Sequence, residues 1–144
     1  MLHTSFIELN FSALKNNITY MRDQLTNGAR YSMVIKGNAY GHGIEAIVPM
    51  AERCGVDHFS VFSVAEAIRA KNAASKKCGI MILGWIDHDE LDYAIMNDIS
   101  FYVFTFERLK AAAKTAKILS KRARIHIELE TGMHRTGFMK KDFD

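Results

Sequence analysis

A lysine stands where a short apolar run meets a glycine-rich stretch: Val34-Ile35-Lys36-Gly37-Asn38-Ala39-Tyr40-Gly41-His42-Gly43. Tyr31 to Ile35 reads as a buried strand, being short, apolar or aromatic, and bounded by turn residues. Lys36 is then presented at the strand's C-terminal edge, just before backbone that glycine can bend freely. Desolvation at such a place disfavours the ammonium and yields an amine nucleophile, the chemistry behind Schiff-base formation with a carbonyl cofactor. The bland alternative is a lysine that snorkels to water ahead of an ordinary loop. This stretch alone does not choose between the two.

A second such segment follows the last apolar run: Glu130-Thr131-Gly132-Met133-His134-Arg135-Thr136-Gly137-Phe138. Arg135 lies between two glycines, just past a strand end rich in carboxylates. There its guanidinium could clamp a substrate carboxylate or hydrogen-bond a phenolate oxygen, with Glu128 holding it in place. A structural salt bridge is the simpler account of that pair. His126, Glu128 and Glu130 alternate along one strand face and raise a divalent-metal reading. Alternate residues on one strand seldom converge as three ligands, so pairing of a glutamate with Arg135 is preferred and no metal is assigned. His42 reads as a residue that holds its loop by hydrogen bonding. His3, His58, His88 and His134 carry no spacing signal. Trp85 either borders a cofactor or packs at a rim.

The elements that must position these groups alternate regularly. Apolar, β-branched or aromatic runs predict strands at Tyr31–Lys36, His58–Val64, Gly79–Trp85, Ser100–Phe106 and Arg124–Glu130. Leu14, Ile18, Met21 and Leu25 recur on one helix face, and Leu109, Ala113, Ala116 and Leu119 on another. Asp87 and Glu90 have capping-box spacing ahead of a further helix. Pro49 is expected in the first turn of the helix that continues through Met50 to Cys54. Such alternation argues for an α/β fold with parallel strands. Neither a GxGxxG nor a Walker A pattern is present. Parity decides between a doubly wound sheet and a barrel. Ile125, Ile127 and Leu129 share one face of the fifth strand, while Arg124, His126, Glu128 and Glu130 share the other. Polar groups on one strand face suit a (β/α)8 TIM-type barrel, with ionisable residues inside near the strands' C-terminal ends. A complete barrel takes eight strands and about 250 residues. Only five βα units are found here, so the barrel is expected to be incomplete, with exposed sheet edges.

The chain has 144 residues and a formal net charge of +3. Its densest basic cluster, Lys117 to Arg124, falls at a helix C-terminus, where it suits the helix dipole. It lacks the wide basic face with interleaved aromatics that nucleic-acid binding requires. Cys54 and Cys78 form no CxxC pair, and Met1 to Phe11 does not read as a secretory signal, so a cytoplasmic location is expected. No apolar run approaches the ~20 residues needed to cross a bilayer.

VIKGNAYGHG followed far downstream by ETGMHRTGF closely resembles the alanine racemases, and the likeness extends over essentially all of the chain. It implies a pyridoxal 5'-phosphate-dependent isomerase with a (β/α)8 barrel, and it adds a strand at Phe6–Asn10 and a helix at Ser12–Leu25. By the same resemblance, Lys36 carries the cofactor and acts as one acid/base group in a two-base transfer of the α-proton. Tyr40 contacts the cofactor phosphate, and Arg135 lies near both the cofactor's phenolic oxygen and the substrate carboxylate. Glu128 stands where many members carry a carbamylated lysine, so it is expected to orient Arg135 through its negative charge. Gly37 replaces the usual alanine, and Glu130 the usual aspartate. The resemblance further implies a small amino-acid substrate, with alanine the default and serine, lysine or broad specificity as alternatives, and a homodimer. The opposite-face base and further cofactor ligands belong to parts outside Met1–Asp144. The 144-residue chain alone is therefore expected not to racemise alanine at a useful rate. An inert partial barrel is the rival without chemistry.

Overall fold

The computed structural model describes residues 5–75 and 78–142; His3 lies outside them. Five short strands, β1 (Met33–Val34), β2 (His58–Val61), β3 (Gly79–Ile82), β4 (Ser100–Val103) and β5 (Ile125–Ile127), lie side by side in chain order. Every neighbouring pair is parallel, so each connection must cross over, and helices do so. These are α2 (Ile44–Arg53), α3 (Val64–Ala73), α4 (Leu91–Met96) and α5 (Phe106–Ile118), with α1 (Phe11–Asp23) preceding β1. A doubly wound sheet reverses its strand order at a switch point. This one never does, which is the opening arc of a (β/α)8 barrel.

The two sheet faces differ as parity demands. Phe59, Val61, Ile80, Ile82, Phe101 and Val103 are buried beneath apolar residues of the helices, such as Val48, Ala67 and Leu91. The other face carries Ser60, Met81, Tyr102 and His126. Ser60 is buried yet satisfied, its hydroxyl 2.7 Å from that of Ser32, which lies 2.7 Å from His58 Nδ1. The His126 ring meets Tyr102 edge-on at 5.9 Å. Ile125 of β5 packs against the core, whereas Ile127 and Leu129, further along, are 44% and 55% exposed.

Capping residues end the strands earlier than apolar runs suggest. Ser63 accepts the Glu66 N–H (3.3 Å) and Thr105 the Arg108 N–H (3.2 Å). Val64 and Phe106, expected in strands, therefore open α3 and α5. Asp87 and Glu90 form the expected capping box, with the Asp87 N–H donating to Glu90 Oε2 at 3.3 Å. Three expectations are corrected. Pro49 lies in the middle of α2, which already begins at Ile44, and so lacks the N–H its carbonyl four residues back would accept. Phe6–Asn10 forms no strand. Along α5, Leu109, Ala116 and Leu119 pack against the core as expected, but Ala113 is exposed and the fully buried positions are Arg108 and Ala112.

Arg108 is only 1% exposed, and its Nε, Nη1 and Nη2 have no hydrogen-bond partner. Its guanidinium carbon sits 4.1 Å from the Trp85 ring centroid. Burial pushes its pKa down, opposed by the charges of Asp87, Glu107 and Glu90. Leaving buried charged donors unmade costs more than about 1–3 kcal/mol, whereas a desolvated cation–π stack returns about 2 kcal/mol. Arg108→Met keeps a long apolar side chain and removes the orphaned donors. Its free energy of unfolding, from urea denaturation, is expected to rise by on the order of 1 kcal/mol; a comparable fall would show that the stack on Trp85 dominates.

Candidate cofactor site

The C-terminal ends of the strands carry the residues singled out by their chemistry. Ile35 is fully buried, and its N–H donates to the Ser60 carbonyl at 2.8 Å, one step beyond β1. Lys36 comes next, and its side chain is exposed rather than enclosed. The backbone then reverses hand. Gly37, Asn38, Ala39 and Tyr40 have φ of 61°, 57°, 54° and 53°, and Gly41 has 89°. This is a full left-handed turn. Glycine adopts it freely, but each of the other residues costs about 1–2 kcal/mol, asparagine the least.

Such strain persists only where surroundings over-determine it. The Ala39 N–H donates to the Ile35 carbonyl (2.8 Å), the Gly41 N–H to Gly37 (3.1 Å) and the Gly43 N–H to Asn38 (2.9 Å). His42 Nδ1 lies 2.8 Å from the Ala39 carbonyl, the loop-holding role its position suggests. Ala39 is buried, while Tyr40 is 62% exposed and borders a hollow of about 340 Å³ between the segment before α1, β1 and α2. A larger hollow of about 610 Å³ is lined by Gly79, Ile99 and Arg124 at the strands' N-terminal ends. Its cations are engaged: Arg30 with Asp57, Arg124 with Asp98 and Lys71 with Asn97.

Residues absent from the sequence reading hold the turn from outside. Glu66 Oε1 accepts the Asn38 N–H (3.0 Å) and its Oε2 accepts the Phe62 N–H (2.9 Å). Asn38 Oδ1 accepts from Arg69 Nη2 (2.6 Å) and from the Ile44 N–H (3.2 Å). Arg69 also grips Glu45 with both Nε (2.6 Å) and Nη2 (2.7 Å). That hydrogen bond to Arg69 draws the Glu45 pKa from 4.5 to about 2. The Ser63–Glu66 spacing is that of a helix start, and nothing in it points to Asn38.

At the other edge, the Glu128 N–H donates to Val103 at 3.0 Å, extending β5. The chain doubles back, with Glu130 N–H donating to Phe138 (2.9 Å) and Phe138 N–H to Glu128 (2.8 Å). Inside this loop the Glu130 carboxylate accepts the backbone N–H groups of Gly132 and, at 3.1 Å, Arg135. Gly137 has φ +116°, and a Cβ there would lie 2.6 Å from Glu130 N. Glu128 accepts from the Thr136 hydroxyl at 2.7 Å and has no contact with the Arg135 guanidinium, contrary to the expected pairing. Glu130 instead holds the Arg135 backbone. The Arg135 guanidinium has no partner among the described residues. No three potential metal-ligating side chains gather among the described residues either. Trp85 packs at the rim, its indole N–H donating to Asp87 at 2.9 Å.

Lys36 and Tyr40 thus share one turn, while Glu128 and Arg135 share one loop, and the two pairs are not in contact. Four strand spacings of about 4.8 Å place them about 19 Å apart along the sheet. In a closed eight-stranded barrel, strands one and five face each other across the lumen. An exposed amine, a phenol and an unpartnered guanidinium at one end of the sheet suit a phosphorylated aldehyde. The amine can condense with the carbonyl, and the other two can bind anionic oxygens.

Parallel strands in chain order, helices on one face and ionisable side chains at the C-terminal ends define a partial (β/α)8 barrel with a lysine-centred site. The chain belongs to the family described as alanine racemase, N-terminal domain, which it matches over residues 9–144. It is 33% identical over 137 residues to the alanine racemase of Methanococcus maripaludis, covering 95% of this chain and 36% of that protein. An alanine racemase of Lactobacillus delbrueckii subsp. bulgaricus is 32% identical, with 94% and 36% covered. The crystal structure of alanine racemase from Oenococcus oeni superposes with a TM-score of 0.80 at 31% identity, covering 94% of this chain and 38% of that one. The chain therefore spans little more than a third of the length of these relatives.

The backbone N–H groups of His134, Gly132 and Arg135 hold the Glu130 carboxyl below its ordinary value of 4.5. A depressed carboxyl stabilises the folded loop above that value and loses its effect as the pH falls through the depressed one. Amide exchange at Gly132 and Arg135 is expected to gain an acid-induced opening below pH 4.5 that Glu130→Gln shows at every pH. Protection in Glu130→Gln equal to that of the parent chain would remove the carboxylate from this role.

Proposed function

We propose that this chain forms the coenzyme-anchoring part of a pyridoxal 5'-phosphate-dependent amino-acid racemase that interconverts L- and D-alanine. One observation carries the reading: Lys36 stands exposed at the end of β1 and leads directly into a braced left-handed turn bearing Tyr40. When bound, the pyridoxal ring would act as an electron sink that makes the substrate's α-proton removable.

The chain's own residues would do the rest. The Lys36 amine would hold the coenzyme by condensing with its aldehyde, with loss of water, and, once the substrate's own amine had displaced it, would be free to take or return the α-proton on one face. The Tyr40 hydroxyl would donate to a phosphate oxygen. The Arg135 guanidinium would pair with the substrate carboxylate or donate to the phenolic oxygen, fixing the α-carbon beside Lys36. Glu128 would add negative charge beside the Arg135 loop through Thr136. Inversion needs a second base on the opposite face, which the family resemblance assigns to a tyrosine of the partner subunit, so a homodimer is part of this proposal. Alanine is preferred as substrate because the relatives above carry that name. No described helix is long and apolar enough to cross a membrane. A cytoplasmic role in supplying D-alanine for the cell wall is part of this proposal.

The test is chemical trapping. With pyridoxal 5'-phosphate and then borohydride, the chain is expected to acquire one phosphopyridoxyl group on Lys36, seen by peptide mass spectrometry. Lys36→Ala should lose it, and Tyr40→Phe should need roughly tenfold more coenzyme, the equivalent of about 1.4 kcal/mol. Labelling spread evenly over surface lysines would refute the assignment and favour an inert partial barrel.

A further inference from the structure

We infer that Glu66 and Arg69 on α3 are positioning residues for the coenzyme-holding turn, acting through Asn38 to set where Lys36 and Tyr40 point. This rests on the function proposed above for Lys36, but its evidence is independent of that reading. Asn38 is the hub of the turn: its carbonyl accepts within the turn, and both its N–H and its side-chain oxygen are engaged by α3. Its N–H is taken by Glu66 at 3.0 Å and its Oδ1 by Arg69 at 2.6 Å. Neither partner is free to drift. Glu66 is tied by its second oxygen to the Phe62 N–H, just past β2, at 2.9 Å. Arg69 is tied to Glu45 in the first turn of α2 by two bonds of 2.6 and 2.7 Å.

The brace therefore links the end of β2, the start of α2 and the face of α3 to one residue of the strained turn. Asn38, Ala39 and Tyr40 all hold positive φ, so releasing Asn38 frees the turn to relax toward a right-handed or extended course. Lys36 precedes that turn and Tyr40 closes it, so their relative aim would change while the sheet below stayed intact. Exposed ion pairs usually contribute little. Here the guanidinium forks onto a carboxylate while bonding a backbone-determining amide, a geometry a lysine cannot reproduce.

The experiment uses the whole chain and reads two signals: amide exchange at Ala39 and Gly41, and the rate of pyridoxal 5'-phosphate trapping on Lys36. Arg69→Ala and Glu66→Ala are expected to speed exchange at both amides by roughly tenfold or more. They should slow trapping by about tenfold to a hundredfold and leave the urea midpoint nearly unchanged. Arg69→Lys should behave like Arg69→Ala. Ala39→Gly, which removes one left-handed alanine, should recover part of the trapping rate in the Arg69→Ala background while changing the parent chain little. The inference is overturned if Arg69→Ala exchanges and traps at the parent rate. It is equally overturned if the loss follows the urea midpoint and Ala39→Gly does not relieve it. Should the parent chain take no label at Lys36, the racemase reading fails by itself, and exchange at Ala39 and Gly41 still decides the brace.

Discussion

Backbone that winds the wrong way needs a reason to stay there, and the segment after β1 winds left-handed from Gly37 to Gly41. Two glycines bracket it at no steric cost, but Asn38, Ala39 and Tyr40 are held against their preference. The restraint comes from several directions at once. Burial fixes Ala39, the Ile35 carbonyl receives its N–H, and α3 seizes Asn38 through Glu66 and Arg69. The same Asn38 oxygen also receives the Ile44 N–H at the start of α2. The turn is thus the junction through which β1, β2, α2 and α3 fix one another, and the lysine proposed to do chemistry stands at its entrance.

The sheet supplies the second requirement, a division of labour between faces. Phe59, Ile82 and Phe101 disappear under helices, leaving Ser60, Tyr102 and His126 on the side that a closed barrel turns inward. Polar residues are tolerated there because they find one another, as in the Ser32, Ser60 and His58 contacts. Arg108 breaks that rule on the helix side, buried against Trp85 with its donors unanswered. At the far edge, the loop from Glu130 to Gly137 is organised by a carboxylate that gathers backbone N–H groups, while the Arg135 guanidinium has no partner among the described residues.

Much of this was legible in the residues themselves. Strand and helix alternation, inward polar parity and the lysine before a glycine-rich turn all follow from periodicity and residue chemistry. What was not legible depended on partners distant in the chain. No residue of Gly-Asn-Ala-Tyr-Gly announces its hand, and Glu66 and Arg69, which hold Asn38, are connected to it by no local pattern. Leucines and alanines marked the face of α5 on which Leu109, Ala116 and Leu119 pack, but nothing in them showed that Arg108 would be buried beside it against Trp85. Glu128 was expected to reach Arg135, but Thr136 lies closer in the returning chain and takes its carboxylate. Pro49 misled because proline at a helix start is common, whereas α2 accommodates it mid-course.

The central claim is that the residues after Lys36 hold a left-handed turn because α3 braces them. Backbone φ at Asn38, Ala39 and Tyr40, obtained from three-bond coupling constants and chemical shifts of the isotope-labelled chain in solution, tests it most directly. Positive φ at all three residues is the predicted result. Negative φ at Ala39 or Tyr40, or averaging between the two hands, would contradict the account.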